Sequence, residues 1–234
     1  MPEPQSRDAV AYHQRLAGDW ERRYQRPAFR ARLRILAECL AGRDIHDQDW
    51  LDAGCGSGTL ARYLAEKGCR VLGVDAAEDM IAAARQFCCD LRKDQQLRFE
   101  RILTIADLPL ANESLDGVVC SSVLEYVQDP VACLAEFARV LRHHGLLIVS
   151  VPNRRSVIRR VQVITHKLGR SLKRDWLTFL QYSRNEYTAA DFRALLREFG
   201  FSTERTVFFG SPIPVWLQRR EFAGSLLAAC AKRE

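Results

Sequence analysis

Apolar residues in the first forty positions recur every three or four residues, the period of a helix with one buried face. Val10, Leu16, Trp20 and Tyr24 form one stripe, Pro27 interrupts it, and Phe29, Leu33, Leu36 and Leu40 resume it. The spacing predicts helix over residues 8–41, closed by Gly42. The rhythm then changes. Short apolar runs ("WLDAG", "RVLGVD", "LRFERIL", "LDGVVCSS", "LLIVSVP") alternate with amphipathic stretches ("TLARYLAEKG", "AAEDMIAAARQFCCDL", "DPVACLAEFARVLRHHG"). The helix starts carry their expected signals: two acids in a first turn, Asp129 before Pro130, and Thr188 with Asp191 three residues on. Gly145 is placed to end the third of these helices, with His143 and His144 complementing its C-terminal charge. "FSTERTVFF" and "SLLAACAK" predict two final strands. Strands alternating with helices of this length imply an α/β protein with a doubly wound, mostly parallel sheet.

Residues 153–181 break the alternation and are too long for a bare loop. Val157, Val161, Ile164, Leu168 and Leu172 fall on one helical stripe. Eight cations lie between Arg154 and Arg174, and no acid appears before Asp175. The segment predicts a basic helical insert after the fifth strand. It reads either as a solvated face over a core-covering helix or as an amphipathic lid on an anionic membrane or acidic carrier. His166, within it, is expected at the surface.

Composition narrows the classes further. A chain of 234 residues, 47% hydrophobic and 27% charged, is long enough for one large domain with its own core. No apolar run reaches 18 residues and the N-terminus shows no apolar signal region, so the expected compartment is the cytoplasm. Eight scattered cysteines form no C-x-x-C pair and gather no histidines, so they are expected as reduced core thiols, with no zinc site. The net charge of +6 permits an anionic partner without choosing one. Nucleic acid is disfavoured, because the charge is one short helix without an RNA-binding module.

The chemistry concentrates in "LDAGCGSG". Gly54, Gly56 and Gly58 follow a strand and precede a helix, the place where ligands bind in a doubly wound sheet. Glycines there let backbone approach a ligand, and the helix start offers free N–H groups. Asp75 ends the next strand, where a carboxylate suits the two hydroxyls of a ribose. The glycine pattern lacks the spacing of a pyrophosphate loop, and Asp52 just before it would repel phosphate. A cationic, phosphate-free nucleoside such as S-adenosylmethionine fits better.

With these motifs in place, the chain resembles the class I S-adenosylmethionine-dependent methyltransferases. "LDAGCGSGTLARYLAEKGCRVLGVDAAEDMIAAAR" is similar to that family's first two motifs without a gap. "LPLANESLDGVVCSSVLEYVQDP" and "LRHHGLLIVSVPN" are similar to the segments around its fourth and fifth strands, and "YTAADFRALLREFGF" extends the match. The resemblance implies a Rossmann-like sheet of seven strands with the last antiparallel, an N-terminal helical lid at 1–43, and a methyltransferase domain at 44–234 containing the insert. It implies that Asp52, Gly54, Cys55, Gly56 and Gly58 form the methionine-side loop and that Asp75 holds the ribose. Ala76, Met80, Ile105 and Ala106 would border the adenine, with Cys120 and Ser121 under the methionine moiety. The adenine-side aspartate common in the family is replaced here by Thr104.

Within the family the nearest resemblance is to quinone-precursor O-methyltransferases, some of which carry two glutamates and a histidine after the fourth strand. The matching positions here are Ser122, Glu125 and Tyr126, so a metal-assisted reaction is not expected. Tyr126 is implied to face the methyl group, and Tyr12 or His13 on the lid to reach substrate. Tyr187 and Arg184 are candidates for lining the acceptor pocket, and Glu125 is either structural or catalytic. The expected activity is methyl transfer to a small-molecule or lipid-like acceptor at oxygen, with the protein cytoplasmic or peripheral at the inner membrane face. The alternatives are an RNA or carrier-protein methyltransferase, or a non-catalytic cofactor-binding subunit.

Overall fold

The computed structural model describes residues 10–11, 27–91, 96–171, 180, 182–210 and 214–234. Its elements run α1 (Pro27–Leu40), β1 (Asp49–Ala53), α2 (Thr59–Glu66), β2 (Arg70–Asp75), α3 (Glu78–Phe87), β3 (Leu97–Arg101), β4 (Leu115–Ser121) and α4 (Pro130–Val140). They continue with β5 (Leu141–Pro152), α5 (Val157–Ser171), α6 (Ala189–Glu198), β6 (Phe201–Phe209), α7 (Val215–Gln218) and β7 (Leu226–Arg233). The strands form one sheet in the order β3-β2-β1-β4-β5-β7-β6. β1 to β5 are mutually parallel, and β7 runs antiparallel to both neighbours. The doubly wound, mostly parallel sheet is therefore as the alternation implied, and its seven strands with an antiparallel last one are as the family resemblance implied.

Apolar side chains pack on both faces of this sheet, as a mostly parallel sheet requires. One cluster joins Ile35, Leu36 and Leu64 to Val119, Ile148 and Phe209. The other joins Leu51, Val118 and Val149 to Phe137, Phe192 and Leu196. Seven of the eight cysteines are buried, and none is in a disulfide. The capping signals act as read. Asp129 accepts from the Ala132 amide at 2.9 Å behind Pro130, and Thr188 accepts from Asp191 at 3.1 Å.

Two expectations are corrected. Helix α4 ends at Val140, not at Gly145. Leu141 is fully buried against β4, and Arg142 is drawn off the helix by Asp116, 2.6 Å away. Residues 142–145 bulge out of the β4–β5 register, with His144 at φ 66°. His143 consequently meets Glu113 and the carbonyl of Glu234, not a helix terminus. His166 is the second correction. It is 6% exposed, because α5 turns its polar side inward and its apolar stripe outward.

Candidate cofactor and acceptor site

The strand order reverses between β1 and β4, and the crevice at that switch point is where such sheets bind ligands. Two loops meet there: 54–58 after β1, and 122–127 after β4. Gly54, Gly56 and Gly58 have φ of 76°, 52° and 83°, a left-handed run that side chains resist. Val74 fixes the turn by accepting from Gly54 and Cys55 through its carbonyl at 2.8 and 2.9 Å. A Cβ at Gly54 would lie 2.2 Å from Val123 Cγ2, so the two loops touch through a hydrogen atom. Gly54→Ala is expected to cost about 1–3 kcal/mol from backbone strain and overpacking. Adding Val123→Ala should return only the packing part. Urea melts of the single and double variants measure the split.

Asp75 ties this cradle to β2. Its Oδ2 accepts from Gly56 N at 3.0 Å and its Oδ1 from Ala77 N at 2.9 Å. Burial raises its pKa, and these amides pull it back. Asp52 is 1% exposed, and its Oδ2 accepts from Ala61 N at 3.0 Å in the first turn of α2. Burial, together with the nearby Asp75, pushes its carboxyl up to about 7, with the Ala61 amide opposing. No basic side chain is among the influences on either acid. Such a cradle rejects a pyrophosphate and suits a cationic nucleoside.

The Asp52 shift has a stability consequence. The unfolded chain loses this proton near 3.8 and the folded chain near 7. Its contribution is present below the lower value and is lost as pH rises through the upper one, on the order of 4 kcal/mol at most. Asp52→Asn should therefore melt like wild type near pH 4 and hotter than wild type at pH 8, in the absence of cofactor.

Not every implied contact residue is at the crevice surface. Ala76 and Ser121 are half-exposed at the strand ends. Cys55, Met80, Ile105 and Cys120 are core residues, exposed by 4, 1, 7 and 0%. Ala106 is half-buried, and its amide is occupied by the Thr104 hydroxyl at 3.1 Å. Tyr12 and His13 lie outside the described residues.

On the β4 side, Ser121 and Ser122 are joined by two residues that the sequence did not flag, Arg32 and Ser150. Ser122 has φ 60° and accepts from Arg32 Nε and Nη2 at 3.2 and 3.1 Å. Ser121 and Ser150 pair through their hydroxyls at 3.2 Å. Arg32, Leu36, Leu60, Ser121, Ser150 and Phe209 are among the residues lining a small open cleft.

In the loop after β4, Glu125 is 3% exposed. Its Oε2 accepts from Ser183 Oγ at 2.7 Å, and that hydroxyl accepts from Arg159 Nη2 at 2.6 Å. The guanidinium stands 3.7 Å from the carboxylate. Burial raises the Glu125 pKa against the pull of Arg159, Ser183, Arg32 and the Tyr126 side chain. Asn185 donates to the carbonyls of Leu124 and Val127, each at 2.8 Å, and Arg184 N donates to Glu125 O at 2.8 Å. The strand-end loop carrying Tyr126 is thus stapled to the segment that follows the insert. Tyr187 is half-buried against Phe192, with ring centroids 5.1 Å apart, and the Arg184 side chain is exposed.

Comparison with known proteins agrees with this geometry. The model of a family described as a methyltransferase domain matches residues 51–149. A probable S-adenosylmethionine-dependent methyltransferase of Mycolicibacterium smegmatis is 33% identical over 202 residues, spanning 85% of this chain and 67% of its own length. A ubiquinone biosynthesis O-methyltransferase of Idiomarina loihiensis is 36% identical over 121 residues, 51% of this chain and 49% of that protein. The chain thus matches about half the length of that relative. Among solved structures, magnesium protoporphyrin IX methyltransferase from Synechocystis with bound SAH superposes with a TM-score of 0.72 at 22% identity, covering 98% of this chain and 100% of that one. A Thermotoga maritima S-adenosylmethionine-dependent methyltransferase gives 0.68 at 23% identity, covering 97 and 100%. Taken with the sheet order, the glycine cradle and the acid ending β2, these matches place the chain in the S-adenosylmethionine-dependent methyltransferase family, on its Rossmann-like fold.

Proposed function

We propose that this methyltransferase moves the methyl group to a small-molecule or lipid-like acceptor at oxygen. The observation that carries the reading is the close approach of Gly54 and Val123 across the switch point, which brings the glycine cradle against the loop that holds Tyr126. The relatives named for ubiquinone biosynthesis support a small apolar acceptor.

In this reading Asp75 takes the ribose hydroxyls, and the main chain of Gly54, Cys55, Gly56 and Gly58 receives the methionine end, with Asp52 supplying negative potential from behind. Ala76, Met80, Ile105 and Ala106 shape the adenine side, and Cys120 and Ser121 form the floor beneath the methionine end. S-adenosylmethionine supplies an already activated methyl group, so the chain's task is alignment and exclusion of water. Tyr126, bonded to the buried Glu125, orients the acceptor oxygen. Residues 1–43 serve as a helical lid with Tyr12 and His13 near substrate, and residues 44–234 as the methyltransferase domain. The basic insert 153–181 brings the enzyme, from the cytoplasmic side, to an anionic membrane surface through residues 154–174, where a lipid-like acceptor is concentrated.

Incubation of a cell extract with enzyme and carbon-13 methyl-labelled cofactor tests this. The label is expected in organic-soluble small molecules, with a methoxy signal. Label in RNA or protein, or an N-methyl signal, would overturn the acceptor assignment. An absence of turnover would favour a non-catalytic subunit.

A further inference from the structure

Helix α5 lies with its apolar stripe facing away from the protein. Val157, Val161 and Ile164, at i, i+4 and i+7 on one face, are 54, 52 and 56% exposed. The two buried residues are polar, Arg159 at 5% and His166 at 6%, with Ile158, Gln162 and Val163 half-buried beside them. A surface helix of a globular protein normally does the reverse. What holds α5 is a set of polar contacts, including Ser156 Oγ to the Arg159 amide at 3.1 Å and the Arg159–Ser183–Glu125 relay.

The start of α5 is joined to a second apolar segment. Val157 N donates to Phe222 O at 2.8 Å, and Asn153 Nδ2 donates to Gly224 O at 2.8 Å. Phe222 is 56% exposed, and Val215 and Trp216, in the short helix just before it, are 41 and 73% exposed. Six of the nine large apolar side chains exposed among the described residues thus come from 157–164 and 215–222, two segments joined at one point. Exposed arginines border both: Arg160 on one side and Arg220 on the other, with Arg154 and Arg155 also exposed but ion-paired to Asp191 and Glu221.

We infer that α5 and the 215–222 segment form one two-part platform that seats on an anionic lipid bilayer. This rests on the membrane reading above and extends it to a segment outside the insert. Aliphatic side chains enter the acyl boundary, an aromatic pair sits at headgroup depth, and arginines reach the lipid phosphates. A second copy fits less well, because the bordering cations of two copies would face each other. RNA fits less well, because an aliphatic stripe offers bases nothing to stack on.

The test is flotation of the full chain with vesicles of equal parts phosphatidylglycerol and phosphatidylcholine, beside pure phosphatidylcholine. Wild type is expected to float about tenfold more with the anionic vesicles. Val161→Ser/Ile164→Ser and, separately, Trp216→Ser/Phe222→Ser should each reduce this about tenfold, with circular dichroism unchanged. If only the α5 pair matters, the two-part platform is wrong while the membrane reading stands. If wild type floats with neither vesicle, or equally with both, the platform and the anionic-membrane reading fail together. Concentration-dependent dimerisation abolished by Val161→Ser/Ile164→Ser would assign the face to a second copy and overturn the inference.

Discussion

Asp75→Ala is expected to reduce cofactor affinity by 100-fold or more, to the point where calorimetry records no binding heat. The carboxylate has two tasks. It accepts from Gly56 N and Ala77 N, so it fixes the cradle to the end of β2. In the proposed function it also takes the ribose hydroxyls. Each charge-assisted bond is worth about 1.5–3 kcal/mol, so two lost together exceed a hundredfold in binding. Asp75→Asn retains an acceptor and the volume, and should lose less. If Asp75→Ala binds as wild type does, the ribose assignment is wrong.

The second large effect is in the buried relay. Arg159→Met leaves Glu125 buried without its ion-pair partner, a change that costs about 3–5 kcal/mol in comparable sites. For a chain of this length that lowers the melting temperature by roughly 6–20 °C. The deficit should depend on pH in a defined direction. Burial already raises the Glu125 pKa above 4.5, so the stability tied to its protonated form is present in acid and lost as pH rises. Removing Arg159 steepens that loss, so the variant's deficit should be smaller at pH 5 than at pH 8. Glu125→Gln in the same background removes the stranded charge and should recover much of the stability. Turnover should not recover with it, because the Tyr126 side chain loses its carboxyl partner.

These two predictions differ in how much of their basis the sequence contained. The cradle and Asp75 lie within 25 residues of one another on a strand–turn–helix–strand unit. Glycine spacing, helix capping and strand length are local properties, so chain order alone brings those groups together. The sheet was legible for the same reason. The Glu125–Ser183–Arg159 relay has partners 34 and 58 residues apart, joined only by tertiary packing. Nothing in "RRSVIRRVQVITH" shows which of its four arginines turns inward. The stripe of Val157, Val161 and Ile164 was legible as a stripe, but hydrophobicity alone assigns such a face to the core, and here polar contacts to Ser183 and Glu125 place it outside. The end of α4 was misread because Gly145 resembles a stop signal, while Arg142 and buried Leu141 act through β4 and Asp116.

The measurement that tests the account most directly is a crystal structure of the chain with S-adenosylmethionine added. The account predicts one molecule across the ends of β1, β2 and β4, its ribose on Asp75 and its amino-acid end against the main chain of 54–58. A crevice that stays empty, or a nucleoside seated away from Asp75, would contradict it.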